Sequence, residues 1–391
     1  MDGGVCATEG IVATGIAAGL KPSGAPDLAL VAARRAVAAA AVQTTNQVKA
    51  APVKVTARHL ADGQARAVLL NAGNANVCTG EPGMVVAESS AEAVAAALGC
   101  RPEDVLVCST GVIGVPLPPQ PLLGAIPGLV SSLSPTGGSL AAQAMLTTDT
   151  VAKQAAVDVS DGGGSCVVGG MAKGSGMIAP EMATMLGVLT TDAPLEGPAL
   201  QAMLRRVSDR TFGRITVDGC QSTNDAVILL STGEAPAPPS PAALEQGLSA
   251  VCSALAQALV RDGEGATRTL AVRVVGAPTE GDALGVARAI AASALVKTAI
   301  AGGDPNWGRI LAAMGAGPVR FDPDQVDVAF GEVTVCRSGV VAGFDRDRAA
   351  AVLRGPEVPL TVDLHLGEAE ATVLTCDLTH GYITINAEYT T

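Results

Sequence analysis

Aromatic residues are scarce in this chain of 391 residues, which holds four Phe, two Tyr and one Trp. These are too few for the stacking platforms that bind single-stranded nucleic acid. Basic residues are also outnumbered, with 25 Lys and Arg against 37 Asp and Glu, which gives a formal net charge of -12. Because no overall positive field attracts a phosphate backbone, we expect no nucleic-acid partner.

The sequence also lacks long apolar runs and a basic leader. No uninterrupted apolar stretch approaches the ~20 residues that cross a bilayer, and no Lys or Arg precedes Lys21, so a secretory signal is not expected. The nine cysteines form no C-x-x-C pair, which disfavours zinc ribbons and thioredoxin chemistry. Several lie in apolar runs, as Cys108 does, which is typical of small buried side chains in a reducing compartment. We therefore expect a cytoplasmic protein without a membrane segment.

Aliphatic residues are abundant instead. Hydrophobic residues make up 48% of the chain, so the core must consist of Ala, Val, Leu and Ile. Short β-type runs alternate with helical ones, which predicts an α/β fold. The pattern predicts helices at Met84–Leu98 and, after a cap at Ser240, at Ala242–Val260. It predicts strands at Asp27–Val31, Ala67–Asn71, Val105–Cys108, Ala183–Thr190, Arg214–Val217 and Ala226–Leu230.

The pattern changes after Gly263 to more regularly spaced strands. The length of the chain suits one large domain or two smaller ones. We place a boundary near residue 272, between a catalytic domain (1–272) and a smaller C-terminal α/β domain (273–391). The strands predicted on the C-terminal side are Leu270–Val275, Val326–Phe330, Leu360–Leu366, Ala371–Cys376 and Tyr382–Asn386.

Polar side chains gather in five loops next to aliphatic strands, which are the usual surroundings of a site. Any one of these loops alone is a weak signal, because Asn and Gly are common turn residues. A further loop, 161–165, reads Asp-Gly-Gly-Gly-Ser, and together with the other Gly loops it could cradle an anion in a non-catalytic binding protein. The five segments are Thr44–Asn46, Asn71–Asn76, Ser109–Gly114, Lys173–Pro180 and Asp304–Arg309.

Histidine is rare, and none of the three histidines (His59, His365 and His380) lies in these five loops. That placement argues against a Ser-His-Asp or Cys-His mechanism. A Thr exposed as a new N-terminus needs no imidazole, because its own α-amine is the adjacent base. The stretch Ala-Pro-Glu-Met-Ala-Thr-Met-Leu at 179–186 suits this role, although by itself it is also an ordinary strand start.

In the order and spacing of these motifs, the chain resembles the ornithine acetyltransferases of arginine biosynthesis, also called glutamate N-acetyltransferases. The resemblance covers essentially the whole chain. Its most specific marker is Lys-Gly-Ser-Gly-Met-Ile-Ala-Pro at 173–180 followed by Met-Ala-Thr-Met-Leu at 182–186. It is supported by Thr44–Asn46, Asn71–Asn76, Ser109–Gly111, Thr147–Thr150, Asp262–Thr267 and Asp304–Arg309.

The resemblance implies a fold with sheets layered between helices, shared with certain self-processing aminopeptidases of the N-terminal-nucleophile type. It implies self-cleavage between Ala183 and Thr184, which would give mature chains 1–183 and 184–391. Thr184 would be the nucleophile, and Thr110 and Gly111 would stabilise the oxyanion. The implied substrate contacts are Thr147, Lys173, Thr184, Glu264, Asn386 and Thr391.

The activity implied is transfer of acetyl from N2-acetylornithine to glutamate by a ping-pong mechanism, with no metal or organic cofactor. Acetyl-CoA is a second candidate donor, and a heterotetramer with two copies of each mature chain is the implied assembly. The sequence departs from the family pattern at Glu181, Cys220 and Gln221. Two alternatives remain: an amidase or aminopeptidase of the same fold, and the non-catalytic binding protein.

Overall fold

A computed structural model describes residues 3–179 and 185–388. The first part of the chain builds an eight-stranded sheet in the order β4-β3-β2-β8-β7-β6-β5, with β1 paired to β2. Its strands are β1 (Ile11–Ile16), β2 (Leu28–Gln43), β3 (Gln64–Asn74), β4 (Val105–Val112), β5 (Lys153–Ser160), β6 (Ser165–Lys173), β7 (Leu186–Thr191) and β8 (Ala226–Ser231). The helices are α1 (Ala51–His59), α2 (Gly80–Leu98), α3 (Pro119–Ser131), α4 (Gly138–Ala144), α5 (Gly197–Arg210) and α6 (Pro241–Arg261).

The long strand β2 joins two halves of this sheet. Its first part pairs with β1 and β3, its last part pairs with β8, and its register against β3 shifts between Ala32 and Val37. In a flat sheet, five strand spacings would separate β4 from β6 by about 24 Å. However, Lys173 at the end of β6 lies 3.3 Å from Thr110 in β4, measured from Nζ to Oγ1. The sheet therefore curls at β2 and brings the ends of β4 and β6 together.

Alternating residues of β2 face two different cores. Leu28 and Leu30 pack in a cluster with α2 and α3, while Ala29 and Val31 pack in a cluster that contains residues of β4, β6, β7 and β8. Across the other half, α5 and α6 cover the remaining face. Burial on both faces explains why these strands read as continuous aliphatic runs. The predicted α/β fold, with sheets layered between helices, is confirmed.

Helix α6 passes the length and composition test for a membrane span, contrary to the expectation that no stretch would approach that length. Half of its apolar window is buried inside the protein. Leu248 and Leu255 of this helix lie in the core that covers β7 and β8. A helix packed in this way has the surroundings of a core helix, and the test by itself is weak evidence for a span.

The remainder of the chain builds a six-stranded sheet in the order β12-β11-β10-β13-β9-β14, with a separate hydrophobic core. Its strands are β9 (Thr269–Ala277), β10 (Asp327–Phe330), β11 (Val333–Arg337), β12 (Val340–Val341), β13 (Glu357–Asp363) and β14 (Ala369–Cys376). The helices are α7 (Glu280–Ala291), α8 (Ala294–Ala301), α9 (Trp307–Gly315), α10 (Arg346–Leu353) and α11 (His380–Glu388). The second sheet thus starts at Thr269, three residues before the predicted boundary, and the division into domains stays a prediction.

Two predicted strands are wrong. In the segment 214–217, Arg214 is the last residue of a short 3-10 helix, and Ile215 forms an isolated bridge to Leu374 in place of a strand. The segment 382–386 belongs to helix α11, where Asn386 and Thr384 each donate a side-chain hydrogen bond to the carbonyl four residues earlier. Strand β13 begins three residues before the predicted start. The pattern did not predict the strands β1, β5, β6, β11 and β12.

Candidate active site

One pocket brings together six of the predicted site residues. They come from five separate parts of the chain: β4, the loop after α4, the end of β6, the loop after α6, and α11. The pocket is lined by Thr110, Gly111, Thr147, Lys173, Glu264 and Asn386, together with Ala75, Ile113, Thr148, Gly176, Met177, Ser222, Thr223 and Asn224. The other predicted site residues, Ala183, Thr184 and Thr391, lie outside the described residues, as does Glu181.

Lys173 is the cation of this pocket, and its side chain is only 4% exposed. Its Nζ donates to Oγ1 of Thr147 at 2.7 Å and to Oγ1 of Thr110 at 3.3 Å. A carboxylate oxygen of Asp149 lies 3.7 Å from Nζ. Burial lowers the pKa of the Lys173 ammonium, and the charge of Asp149 opposes that effect. Two neutral hydroxyls and one carboxylate therefore hold the Lys173 ammonium in place.

Asp149 organises the cationic side of the pocket. Its carboxylate accepts hydrogen bonds from Lys153 Nζ at 2.7 Å, from the Gly174 amide at 2.6 Å and from the Thr147 amide at 3.1 Å. Burial by itself raises the pKa of Asp149, but the charges of Lys173 and Lys153 outweigh it and hold the pKa well below its usual range. Lys153 also pairs with Asp262 at 2.6 Å. Two carboxylates and two ammonium groups thus balance one another inside the protein.

Glu264 brings negative charge to the pocket. It is only 9% exposed, and Oε2 accepts a hydrogen bond from Asn386 Nδ2 at 2.7 Å. The loop of Glu264 is held to the segment after β6, since its amide donates to the Ser175 carbonyl at 2.8 Å. A Cβ at Gly176 would stand 2.5 Å from the Glu264 carboxylate, so only glycine fits there without moving that group.

Thr110 and Gly111 lie near the end of β4, which runs parallel to β3. Gly111 has φ +130°, and a Cβ there would stand 2.3 Å from the carbonyl carbon of Gly73. The close approach of two backbones therefore requires glycine at position 111. Asn224 supports the same strand end, because its amide group donates to the carbonyls of Ser109 and Ala75 at 2.8 and 2.6 Å.

The five polar loops have different positions. The first four all contribute to the pocket or contact its walls: Thr44 donates through its hydroxyl to the Ser222 carbonyl, and Ser109 donates to Asn71 Oδ1. The fifth loop, 304–309, does not line the pocket. There Asn306 caps α9 by accepting from the Arg309 amide at 3.1 Å.

The loop at 161–165 is a hairpin turn between β5 and β6 and does not line the pocket. The Asp161 carboxylate accepts from the amides of Gly163 and Ser240 at 3.1 and 2.7 Å. The Asp161 carboxylate therefore has a structural use: it holds its own turn and the start of α6 in place.

All nine cysteines have free thiols, and two of them, Cys78 and Cys220, are exposed rather than buried as expected. None of the three histidines appears among the described residues that line the pocket. Sequence reasoning gave no role to Asp149, Lys153 or Asp262. One signal was available, because Asp149 and Lys153 stand four residues apart in a segment that already carried a family motif.

The layered fold and the pocket define an α/β protein with a buried, charged pocket. The model of the ArgJ family matches residues 12–391. The arginine biosynthesis bifunctional protein ArgJ of Symbiobacterium thermophilum is 51% identical, over 100% of this chain and 99% of the relative. The protein of that name from Mycobacterium leprae is 48% identical, over 99% of this chain and 95% of the relative. The chain therefore belongs to the ArgJ family, and the expected family is confirmed.

Solved structures include the arginine biosynthesis bifunctional protein ArgJ of Bacillus halodurans. It is 39% identical, with a TM-score of 0.49, over 51% of this chain and 97% of the solved chain. The ornithine acetyltransferase of Mycobacterium tuberculosis, solved in complex with ornithine, is 45% identical, with a TM-score of 0.41, over 45% of this chain and 94% of the solved chain.

Proposed function

We propose that this protein is an acetyltransferase of arginine biosynthesis that moves the acetyl group of N2-acetylornithine to glutamate through an acetyl-Thr184 intermediate. The observation that carries the proposal is the convergence of Thr110, Thr147, Lys173 and Glu264 on one pocket in a chain of the ArgJ family. These residues lie up to 154 positions apart in the sequence, so the fold alone brings them together.

The charges of the pocket suit this donor. N2-acetylornithine carries an α-carboxylate and a distal ammonium, so it needs one cationic and one anionic contact. Lys173 offers the first and Glu264 the second, and both are mostly buried, where charge-assisted hydrogen bonds are strong. Glutamate shares the α-carboxylate but ends in a second carboxylate, so we assign Lys173 to both substrates and Glu264 to the donor.

The first half-reaction forms a bond between Thr184 Oγ and the acetyl carbon and breaks the amide bond to ornithine. The proton of Oγ passes to the Thr184 α-amine and then to the departing nitrogen of ornithine. Thr110 and the Gly111 amide would stabilise the oxyanion between these two events. In the second half-reaction the α-amine of glutamate attacks the acetyl ester, and the proton it loses returns to Oγ. Neither half needs a cofactor.

Cleavage before Thr184 would divide the pocket between two chains. Thr110, Thr147 and Lys173 precede that position, whereas Glu264 and Asn386 follow it. The two mature chains would therefore stay associated, and we propose a cytoplasmic heterotetramer with two copies of each. Acetyl-CoA is a second candidate donor for the same nucleophile.

Thr184→Ala tests the proposal. The variant should run as one uncut chain on a denaturing gel and should transfer no acetyl group, whereas the wild type should give chains of 183 and 208 residues (391 - 183 = 208). Two fragments in the variant would overturn self-cleavage at Thr184. Acetylornithine consumption should also require glutamate, and equal consumption without glutamate would favour the amidase or aminopeptidase.

A further inference from the structure

Apolar side chains are few in the candidate active site. Among its described lining residues, only Ala75, Ile113 and Met177 carry one. The group that the proposed reaction transfers ends in a methyl group, and a polar side chain packed against this methyl would lose water without gaining a hydrogen bond. The positions of the three apolar residues therefore indicate where the pocket receives the methyl group.

Ala75 and Ile113 lie side by side, because each directly follows one of two neighbouring parallel strands, β3 and β4. The Ala75 amide donates to the Val112 carbonyl at 3.0 Å, and the Ala75 carbonyl accepts from Asn224 Nδ2 at 2.6 Å. Ile113 packs against a small hydrophobic cluster that contains Ala75 and Val53 of α1. The two residues form one apolar wall of the pocket, which is tied to the sheet on both sides.

This wall adjoins the residues to which the oxyanion is assigned. Gly111 precedes Ile113 by two positions, and both line the pocket together with Thr110. In an acetyl group, bond lengths and angles keep the methyl carbon within about 2.4 Å of the carbonyl oxygen. An acyl group whose oxygen is held by Thr110 and Gly111 therefore has its methyl group among the neighbours of Gly111, where the apolar side chains are those of Ala75 and Ile113.

Met177 lies on the side of the pocket that carries Glu264. It follows Gly176, the residue whose Cβ would stand 2.5 Å from the Glu264 carboxylate. The Met177 backbone has φ +54° and is held there by its amide, which donates to Asp218 Oδ2 at 2.5 Å. Because Glu264 is assigned to the distal ammonium of the donor, Met177 suits the methylene chain that leads to this ammonium.

We infer that Ala75 and Ile113 form the acyl subsite and that Ile113 limits the transferred group to acetyl. This inference rests on the proposed function. Ala75 is 3% exposed and Ile113 is half-buried, so the wall is backed by packed residues. Packed side chains yield little to an inserted methylene, because the neighbours would have to leave their preferred rotamers. A longer acyl chain would therefore collide with the Ile113 side chain.

The experiment measures kcat/KM for N2-acetylornithine, N2-propionylornithine and N2-butyrylornithine, with glutamate as the acceptor. The wild type should prefer acetyl to propionyl by at least about tenfold, since one methylene in an apolar pocket changes kcat/KM by about 10–200-fold. Ile113→Ala opens the subsite, so this ratio should fall by at least about tenfold, and the butyryl donor should become a substrate. Ile113→Val should give an intermediate ratio.

Met177→Ala is the matched control, because it enlarges the same pocket on the side of Glu264. It should raise KM for all three donors and keep the wild-type ratio of acetyl to propionyl. An unchanged ratio in Ile113→Ala, or a ratio that falls in Met177→Ala instead, would overturn the inference.

If Ile113→Ala does not fold, Ile113→Val and the wild-type series of donors carry the test. Equal kcat/KM values of the wild type for acetyl and propionyl would overturn the inference, as would a wild-type ratio in Ile113→Val. A wild type that consumes none of the three donors, or consumes them equally without glutamate, would instead refute the proposed function.

Discussion

Asp149→Asn is the substitution with the most directly calculable effect on stability. It replaces a carboxylate with no exposed side-chain surface by a neutral group of nearly the same shape. An amide can still accept one hydrogen bond, for example from the Gly174 amide. Its NH2 group, however, would face a donor, because Lys153, Lys173 and two backbone amides surround the carboxylate.

The size of the loss follows from what each lysine retains. Removing one partner of a buried ion pair generally costs about 3–5 kcal/mol of unfolding free energy, because the other charge stays buried. Lys153 keeps its pair with Asp262 at 2.6 Å, whereas Lys173 loses the carboxylate at 3.7 Å and keeps only two hydroxyls. We therefore expect a loss of about 3 kcal/mol, at the low end of that range.

Urea unfolding at pH 7 measures this difference. Asp158→Asn is the matched control, since Asp158 lies on the same strand, five residues after Lys153, but is exposed, and its change should stay within about 0.5 kcal/mol. A loss below about 1 kcal/mol for Asp149→Asn would refute the reasoning, because it would mean that the two lysines do not depend on this carboxylate.

The same pair of proteins gives a test in pH. The folded-state pKa of Asp149 lies below the unfolded value of about 3.9. Its contribution to stability is therefore fully present above the unfolded pKa and is lost as the pH falls through the folded one. The stability curves of the wild type and Asp149→Asn should be furthest apart near neutral pH and should converge below about pH 4. Parallel curves down to pH 3 would contradict the assigned charge state.

Two further predictions concern the proposed chemistry. Thr110→Ala should lower turnover by ~10²-fold, the scale for one lost oxyanion donor, and unchanged turnover with normal cleavage would move that role elsewhere. Glu264→Gln should slow acetylation by N2-acetylornithine more than it slows capture of the acetyl group by glutamate, whereas Lys173→Met should slow both steps. Single-turnover measurements of each half-reaction decide this, and equal losses for Glu264→Gln would show that its assigned selectivity is wrong.

Strands with both faces buried could be predicted well from the sequence. The run at 226–230 is continuous and aliphatic because Ile228 faces the core between the sheet halves while Leu229 faces the helices. The structure extends that strand by one residue, to Ser231. Local composition was sufficient here, since burial leaves few other residue types possible.

Helix α11 could not be predicted in the same way. Its sequence at 382–386, Tyr-Ile-Thr-Ile-Asn, is rich in β-branched and aromatic residues, which favour strands. None of the helix residues in the described part of the chain is buried, so no core face shows the period of a helix. Contacts distant in sequence accompany the helical form: Thr379 donates to the Gly265 carbonyl and Asn386 donates to Glu264.

The candidate residues of the site were implied by the family resemblance, but their arrangement in space was not. The contact between Lys173 and Thr110 depends on the curl of the sheet at β2, and nothing in the pattern of β2 shows that curl. The hydrogen bond from the Met185 amide to Asp225 Oδ1, at 3.0 Å, could not be predicted for a similar reason, because the two residues become neighbours only through the parallel pairing of β7 and β8. Both relations join residues of different strands and depend on topology.

The hydrogen bond between Asn386 and Glu264 has a consequence for how the protein is made. Translation delivers Thr110 early and Asn386 only after almost the whole chain has left the ribosome. Domains fold as units while synthesis proceeds, with the N-terminal part first. The curled sheet can therefore form while the wall that carries Asn386 is still missing. A nascent chain would have the fold of the first sheet before its pocket has all of its charged and polar walls.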